Sequence, residues 1–95
     1  MIVTLTPNPS LDRTVELGGP LTPGGVHRIA ADRTQPGGKG INVALGVHRA
    51  GLPTLAVLPA APGDPLLSLL EEAGLPHRSC EVAGRVRTNL TVLSA

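Results

Sequence analysis

The sequence predicts an α/β fold organised around a mostly parallel sheet. Strand-like runs alternate with two amphipathic helical patterns, the run at 54–58 is continuously apolar as in a strand buried on both faces, and both helical patterns stop at a glycine. The first strand is the alternating stretch at 2–6, which ends at Pro7-Asn8-Pro9. A second extended stretch covers 14–17 and stops at Gly18-Gly19-Pro20, and a third covers 26–32 behind the turn Thr22-Pro23-Gly24-Gly25. A helix follows from about 40 to 50. Ile41, Ala44, Leu45 and His48 form its apolar stripe, widened by Val43, Val47 and Ala50, and Gly51 closes it.

After the strand at 54–58, Asp64 caps a second helix with Pro65 at its first position; Leu66, Leu67, Leu69 and Leu70 give it an apolar side, and Gly74 ends it. Strands at 77–82 and 87–93 then flank Ala83-Gly84-Arg85. The stretches near 14–32 and 77–93 have a second option, which is to pair as a separate small sheet. The strand-like run at 88–93 leads straight to Ser94-Ala95, and each crossover unit of a parallel sheet takes ~30 residues. The expectation is therefore the N-terminal piece of a longer protein.

Composition narrows the function classes. The chain has 95 residues, 41% of them hydrophobic and 16% charged, which suits one folded unit rather than a disordered segment. Net charge is +1 with the basic residues scattered singly, and Phe, Tyr and Trp are absent. No basic run tracks a phosphate backbone and no aromatic ring stacks on bases, which argues against nucleic acid as a partner. Cys80 is the only cysteine and reads as a small buried hydrophobe in a reducing compartment. The start of the chain lacks a secretory pattern, and Pro53, Pro59 and Pro62 cut the apolar runs far short of the ~20 residues a membrane span needs. A soluble cytoplasmic protein with no membrane partner is expected.

The segment Pro36-Gly37-Gly38-Lys39-Gly40-Ile41-Asn42 carries the most chemistry. Here a glycine-rich bend opens onto a helix, whose first N–H groups and positive dipole end favour an anion. Lys39 adds a full charge. It is not a Walker A loop, which needs Gly where Arg33 stands and Ser or Thr where Gly40 stands, nor a dinucleotide fingerprint, which needs Gly at Val43. The residues alone also allow a plain tight entry to a helix. His27, His48 and His77 have no ligand spacing, adjacent Glu71 and Glu72 point to different sides of a helix, and no metal site is expected in the chain.

Three motifs in order, Thr6-Pro7-Asn8-Pro9-Ser10-Leu11-Asp12-Arg13-Thr14, Gly37-Gly38-Lys39-Gly40-Ile41-Asn42-Val43-Ala44 and Val86-Arg87-Thr88-Asn89-Leu90, resemble the PfkB (ribokinase-like) carbohydrate kinases, and within them the 1-phosphofructokinases and tagatose 6-phosphate kinases. The resemblance implies the N-terminal part of a three-layer α/β/α domain with a small β lid. Core elements would fall at about 1–10 and 36–76, and lid strands at about 12–34 and 77–95. It implies ATP and Mg2+ as cofactors and phosphoryl transfer to a ketose phosphate, fructose 1-phosphate becoming fructose 1,6-bisphosphate. The alternatives are a tagatose 6-phosphate or fructose 6-phosphate kinase, a non-catalytic sugar-phosphate sensor, and a purely structural module.

The same resemblance assigns Asp12 to sugar hydroxyls, Gly38 and Asn42 to the sugar, Lys39 to phosphoryl charge and Arg87 to the substrate's phosphate, ahead of Arg85 and Arg28. The chemistry suits each role: a carboxylate is a strong acceptor, an amide both donates and accepts, and a guanidinium grips phosphate bidentately. Read without the family, Asp12 makes a turn, Asn42 fills a first helical turn, and Lys39 and Arg87 are solvated. The family's catalytic Asp and nucleotide site would lie outside these residues, so the 95-residue chain by itself is expected to be inactive. A homodimer through the lid is the implied assembly.

Overall fold

The structure, a computed structural model, describes residues 1–94. Its elements run β1 (Ile2–Leu5), β2 (Ser10–Leu17), β3 (Ile29–Gly37), α1 (Lys39–Arg49), β4 (Thr54–Ala60), α2 (Pro65–Glu72), β5 (His77–Glu81) and β6 (Arg87–Leu93). They form two three-stranded sheets, ordered β1-β4-β5 and β3-β2-β6.

The first sheet is parallel throughout, with Ile2 opposite Thr54 and Ala56 opposite His77. Its crossovers carry the helices. Thr54, Ala56, Leu58 and Ala60, alternate residues of β4, are buried. The last three of these pack with Ile41, Ala44 and Leu45 of α1 and with Leu66 and Leu70 of α2, so both helices cover one face. Burying Ile41, Leu58, Leu66 and Leu70 completely contributes about 1.5–3 kcal/mol each.

The second sheet is mixed. Central β2 runs antiparallel to β3, with Ser10 opposite Gly37, and parallel to β6, with Ser10 also opposite Arg87. Because each register pair shares a face, Ser10, Asp12, Gly37, Arg87 and Asn89 all lie on one side of this sheet. This sets up the polar site.

Several expectations are corrected. The strand expected at 14–17 begins at Ser10, and the one expected at 26–32 runs over Ile29–Gly37, because pairing along the whole of β2 outweighs the weak strand preference of its polar residues. Asp12 therefore lies within a strand and not in a turn beyond β1. Of the strands expected together at about 12–34 and 77–95, β2, β3 and β6 share one sheet, but β5 does not join them: it pairs with β4 in the parallel sheet. Cys80 on β5 is exposed, β5 lying at the edge of its sheet among the described residues. Val43 is 56% exposed and Ala50 is exposed too, so the apolar stripe of α1 is narrower than its sequence suggests.

Helix ends follow their sequence signals at α2. Asp64 Oδ1 accepts the N–H of Leu66 at 3.0 Å, with Pro65 at the first helical position. At α1 no side chain caps the N-terminus. Gly38 stands there with φ 113°, a conformation in which a side chain is strained. Among the described residues no helix is long and apolar enough to cross a membrane.

Candidate functional site

The glycines of the bend are fixed by contacts inside the protein. A Cβ on Gly37 would overlap the carboxylate of Asp12; one on Gly38 would meet Thr6 Cγ2 at 2.7 Å and Pro9 Cα at 3.2 Å. One on Gly40 would overlap Thr6 Oγ1 and lie 2.9 Å from the carbonyl oxygen of Leu5. Thr6, at the end of β1, is thus wedged under the first turn of α1 and is only 3% exposed. The lack of side chains at these glycines admits Asp12 and Thr6.

A hollow of about 250 Å³ opens at this turn, lined by Thr6, Asn8, Lys39, Gly40 and Arg87 among others. It brings together the two cations assigned to phosphate. Lys39 is the first residue of α1, so its charge adds to the unpaired N–H groups and positive dipole end there. Arg87 reaches it from β6 and is held by three bonds: Nε donates to Asn8 Oδ1 at 3.1 Å, Nη2 to the Asn8 carbonyl at 3.3 Å, and Nη1 to Asn89 Oδ1 at 3.1 Å. A guanidinium has five N–H donors, so two are left over.

Asp12 joins the same constellation indirectly. Its Oδ1 accepts from Ser10 Oγ at 2.9 Å and from Asn89 Nδ2 at 3.1 Å. Among the described residues Oδ2 accepts no side-chain bond, which leaves it available to a hydroxyl. Gly38 adjoins the hollow next to Lys39. Asn42 is one turn further along α1, donates its backbone N–H to Gly38 O at 2.9 Å, and has an exposed side chain that does not line the hollow. Arg85 borders a neighbouring hollow of about 220 Å³ that shares Asn8 and Arg87 with the first. Arg28 is remote, its carbonyl accepting the N–H of Gly18.

Two participants have no assigned role in the sequence reading. Asn8 and Asn89 both hold Arg87, and Asn89 also holds Asp12. The available signal was the period of two along a strand, which puts Asn89 on the face of Arg87. His27 and His77 make local backbone contacts: Nε2 of the first accepts the N–H of Thr22, and Nδ1 of the second lies 2.8 Å from the Leu75 carbonyl.

With this geometry in place, residues 7–95 match the pfkB family of carbohydrate kinases. The chain belongs to that family. Among pfkB relatives, the 1-phosphofructokinase of Xanthomonas campestris pv. campestris is 39% identical over 95 residues, covering 98% of this chain and 30% of the relative. The ATP-dependent 6-phosphofructokinase isozyme 2 of Mycobacterium tuberculosis is 42% identical over 93 residues, covering 96% of this chain and 27% of the relative. The crystal structure of Escherichia coli phosphofructokinase-2 in complex with fructose-6-phosphate superposes with a TM-score of 0.84 at 39% identity, over 96% of this chain and 30% of that one. The pfkB chain described here thus spans less than a third of the length of these relatives. Its α/β architecture, with a parallel sheet beside a small mixed one, is that of ribokinase-like phosphofructokinases.

Proposed function

We propose that these residues form the sugar-phosphate-binding part of an ATP- and Mg2+-dependent cytoplasmic kinase that converts fructose 1-phosphate to fructose 1,6-bisphosphate. The observation that carries this reading is the shared hollow of Lys39 and Arg87 at the start of α1. Asp12 accepts sugar hydroxyls through Oδ2, Arg87 directs its two remaining N–H groups at the substrate's phosphate, and Lys39 neutralises charge where the new phosphate forms. Gly38, in the bend beside Lys39, and Asn42, one turn further along α1 and outside that hollow, extend the proposed contacts to the rest of the sugar. The identity to relatives named 1-phosphofructokinase supports this substrate.

A second substrate, fructose 6-phosphate, is favoured by the 42% identity to a relative named for that activity. Among the described residues no three His, Cys, Asp or Glu side chains converge on a metal position. The catalytic carboxylate and nucleotide site belong, in this reading, to residues outside 1–95. Ile29, Leu90 and Val92, exposed on the face of the small sheet opposite Asp12, support a homodimer through the lid.

The test is ADP release by the protein expressed from its complete gene, supplied with ATP, Mg2+ and each ketose phosphate in turn. Fructose 1-phosphate is expected to give the highest kcat/KM, and Lys39→Ala and Arg87→Ala to lower it by about 100-fold, the scale for losing one charge-stabilising contact. Wild-type kcat/KM in both variants would overturn the site assignment, and a higher value with fructose 6-phosphate would select the second substrate. The 95-residue chain alone is expected to show no turnover, yet to shift the amide resonances of Gly38 and Asn42 on titration with fructose 1-phosphate.

A further inference from the structure

We infer that Asn89 is a positioning residue that keeps Asp12 and Arg87 from neutralising each other, an inference that rests on the sugar-phosphate reading of this site. Opposite charges sit at neighbouring register positions of β2 and β6: Arg87 is opposite Ser10, and Asn89 is opposite Asp12. Yet the two charged groups make no ion pair, the Arg13–Asp32 pair being the salt bridge among the described residues. The Asn89 amide stands between them. Its Oδ1 accepts from Arg87 Nη1 and its Nδ2 donates to Asp12 Oδ1, both at 3.1 Å.

A side-chain amide is the group suited to this bridge, because it presents an acceptor to the cation and a donor to the anion from one rigid plane. Asn8 holds Arg87 from the other side, through Oδ1 at 3.1 Å and its carbonyl at 3.3 Å, and Ser10 adds a second donor to Asp12 at 2.9 Å. Each charge is therefore oriented while keeping part of its bonding capacity: one carboxylate oxygen and two guanidinium N–H groups. A direct Asp12–Arg87 pair would consume that capacity on the protein itself. Both charges would then have to be separated before a sugar phosphate could bind.

Among the described residues Asn89 is exposed and β6 lies at the edge of its sheet, so substitution there is expected to spare the fold, which a circular dichroism melt of each variant checks. Asn89→Leu keeps the shape and removes both bonds. Asn89→Asp keeps an acceptor for Arg87 and sets a carboxylate against Asp12. In the enzyme expressed from its complete gene, both variants are expected to raise KM for the ketose phosphate about tenfold, with KM for ATP within about twofold of wild type. The double-mutant cycle is the decisive readout. In an Arg87→Ala background there is no cation for Asp12 to pair with, so adding Asn89→Leu should change KM by less than about threefold.

A KM for Asn89→Leu within about twofold of wild type, or equal effects of Asn89→Leu with and without Arg87, would overturn the positioning role while leaving the kinase reading standing. A wild-type enzyme that phosphorylates no ketose phosphate would overturn both.

Discussion

Asp64 Oδ2 accepts the backbone N–H of Val86 at 3.1 Å, while Oδ1 of the same carboxylate caps α2 through Leu66. One buried carboxylate thus ties the start of a core helix to the segment that delivers β6. Replacing Asp64 by Ala leaves two N–H groups without their acceptor, one of them at a helix cap, and should destabilise the protein by about 1–3 kcal/mol. Urea unfolding checks this. Asp64→Asn keeps an acceptor at Oδ1 and is expected to fall between wild type and Ala.

Gly37 and Gly40 separate binding from stability. At Gly37 a methyl displaces only the end of the Asp12 side chain, which can swing away. Gly37→Ala should therefore fold normally and lose ketose-phosphate affinity, read by calorimetry on the protein from its complete gene. At Gly40 the obstacle includes the Leu5 carbonyl oxygen, which is backbone and cannot turn aside. Gly40→Ala should lift α1 off β1 and cost about 1–3 kcal/mol in unfolding.

Thr4 Oγ1 is buried with no protein hydrogen-bond partner among the described residues. Val has nearly the same shape without a group to desolvate, and it favours strands. Thr4→Val is expected to raise stability by about 0.5–1 kcal/mol, seen as a higher urea midpoint with an unchanged slope.

Arg13 and Asp32 pair across β2 and β3 through two bonds, at 3.0 and 2.6 Å, with both side chains 43% exposed. The Arg13 hydrogen bond chiefly, helped by its charge, holds the Asp32 carboxyl below its usual range. A carboxyl whose pKa is lower in the folded state contributes stability above its unfolded pKa and loses it as pH falls through the folded one. Its contribution is therefore present at neutral pH and disappears in acid below the ordinary carboxylate range. Titration by carboxyl NMR should place Asp32 below a free Asp in low salt. Salt at about 0.5 M should move it back toward the ordinary value, since an exposed pair is screened.

The sequence was enough for the parallel core, because the continuous apolar run of β4 and the capping chemistry at Asp64 act locally. It was less informative for the small sheet, whose strands are polar and owe their length to partners far away in the chain. Ser10 to Arg13 look like a loop until Gly37 and Arg87 are known to lie on either side. The exposure of Cys80 and Val43 is not legible in composition, which does not say how far a helix face or a covered strand extends. At the site, charge and bend were legible in Lys39 and its glycines. The amide bridge of Asn89 was not, since it depends on the register of β2 against β6.

That register also fixes when the site can come into being. The bond from Asn89 to Asp12 spans 77 residues, so the acid emerges from the ribosome early and waits for that length of chain before its partner arrives. Closing so long a segment is slow compared with forming either helix. The β2–β3 hairpin and the parallel core, whose strand pairs lie closer together in sequence, have time to settle first, and the arrival of β6 then completes the ligand-facing sheet.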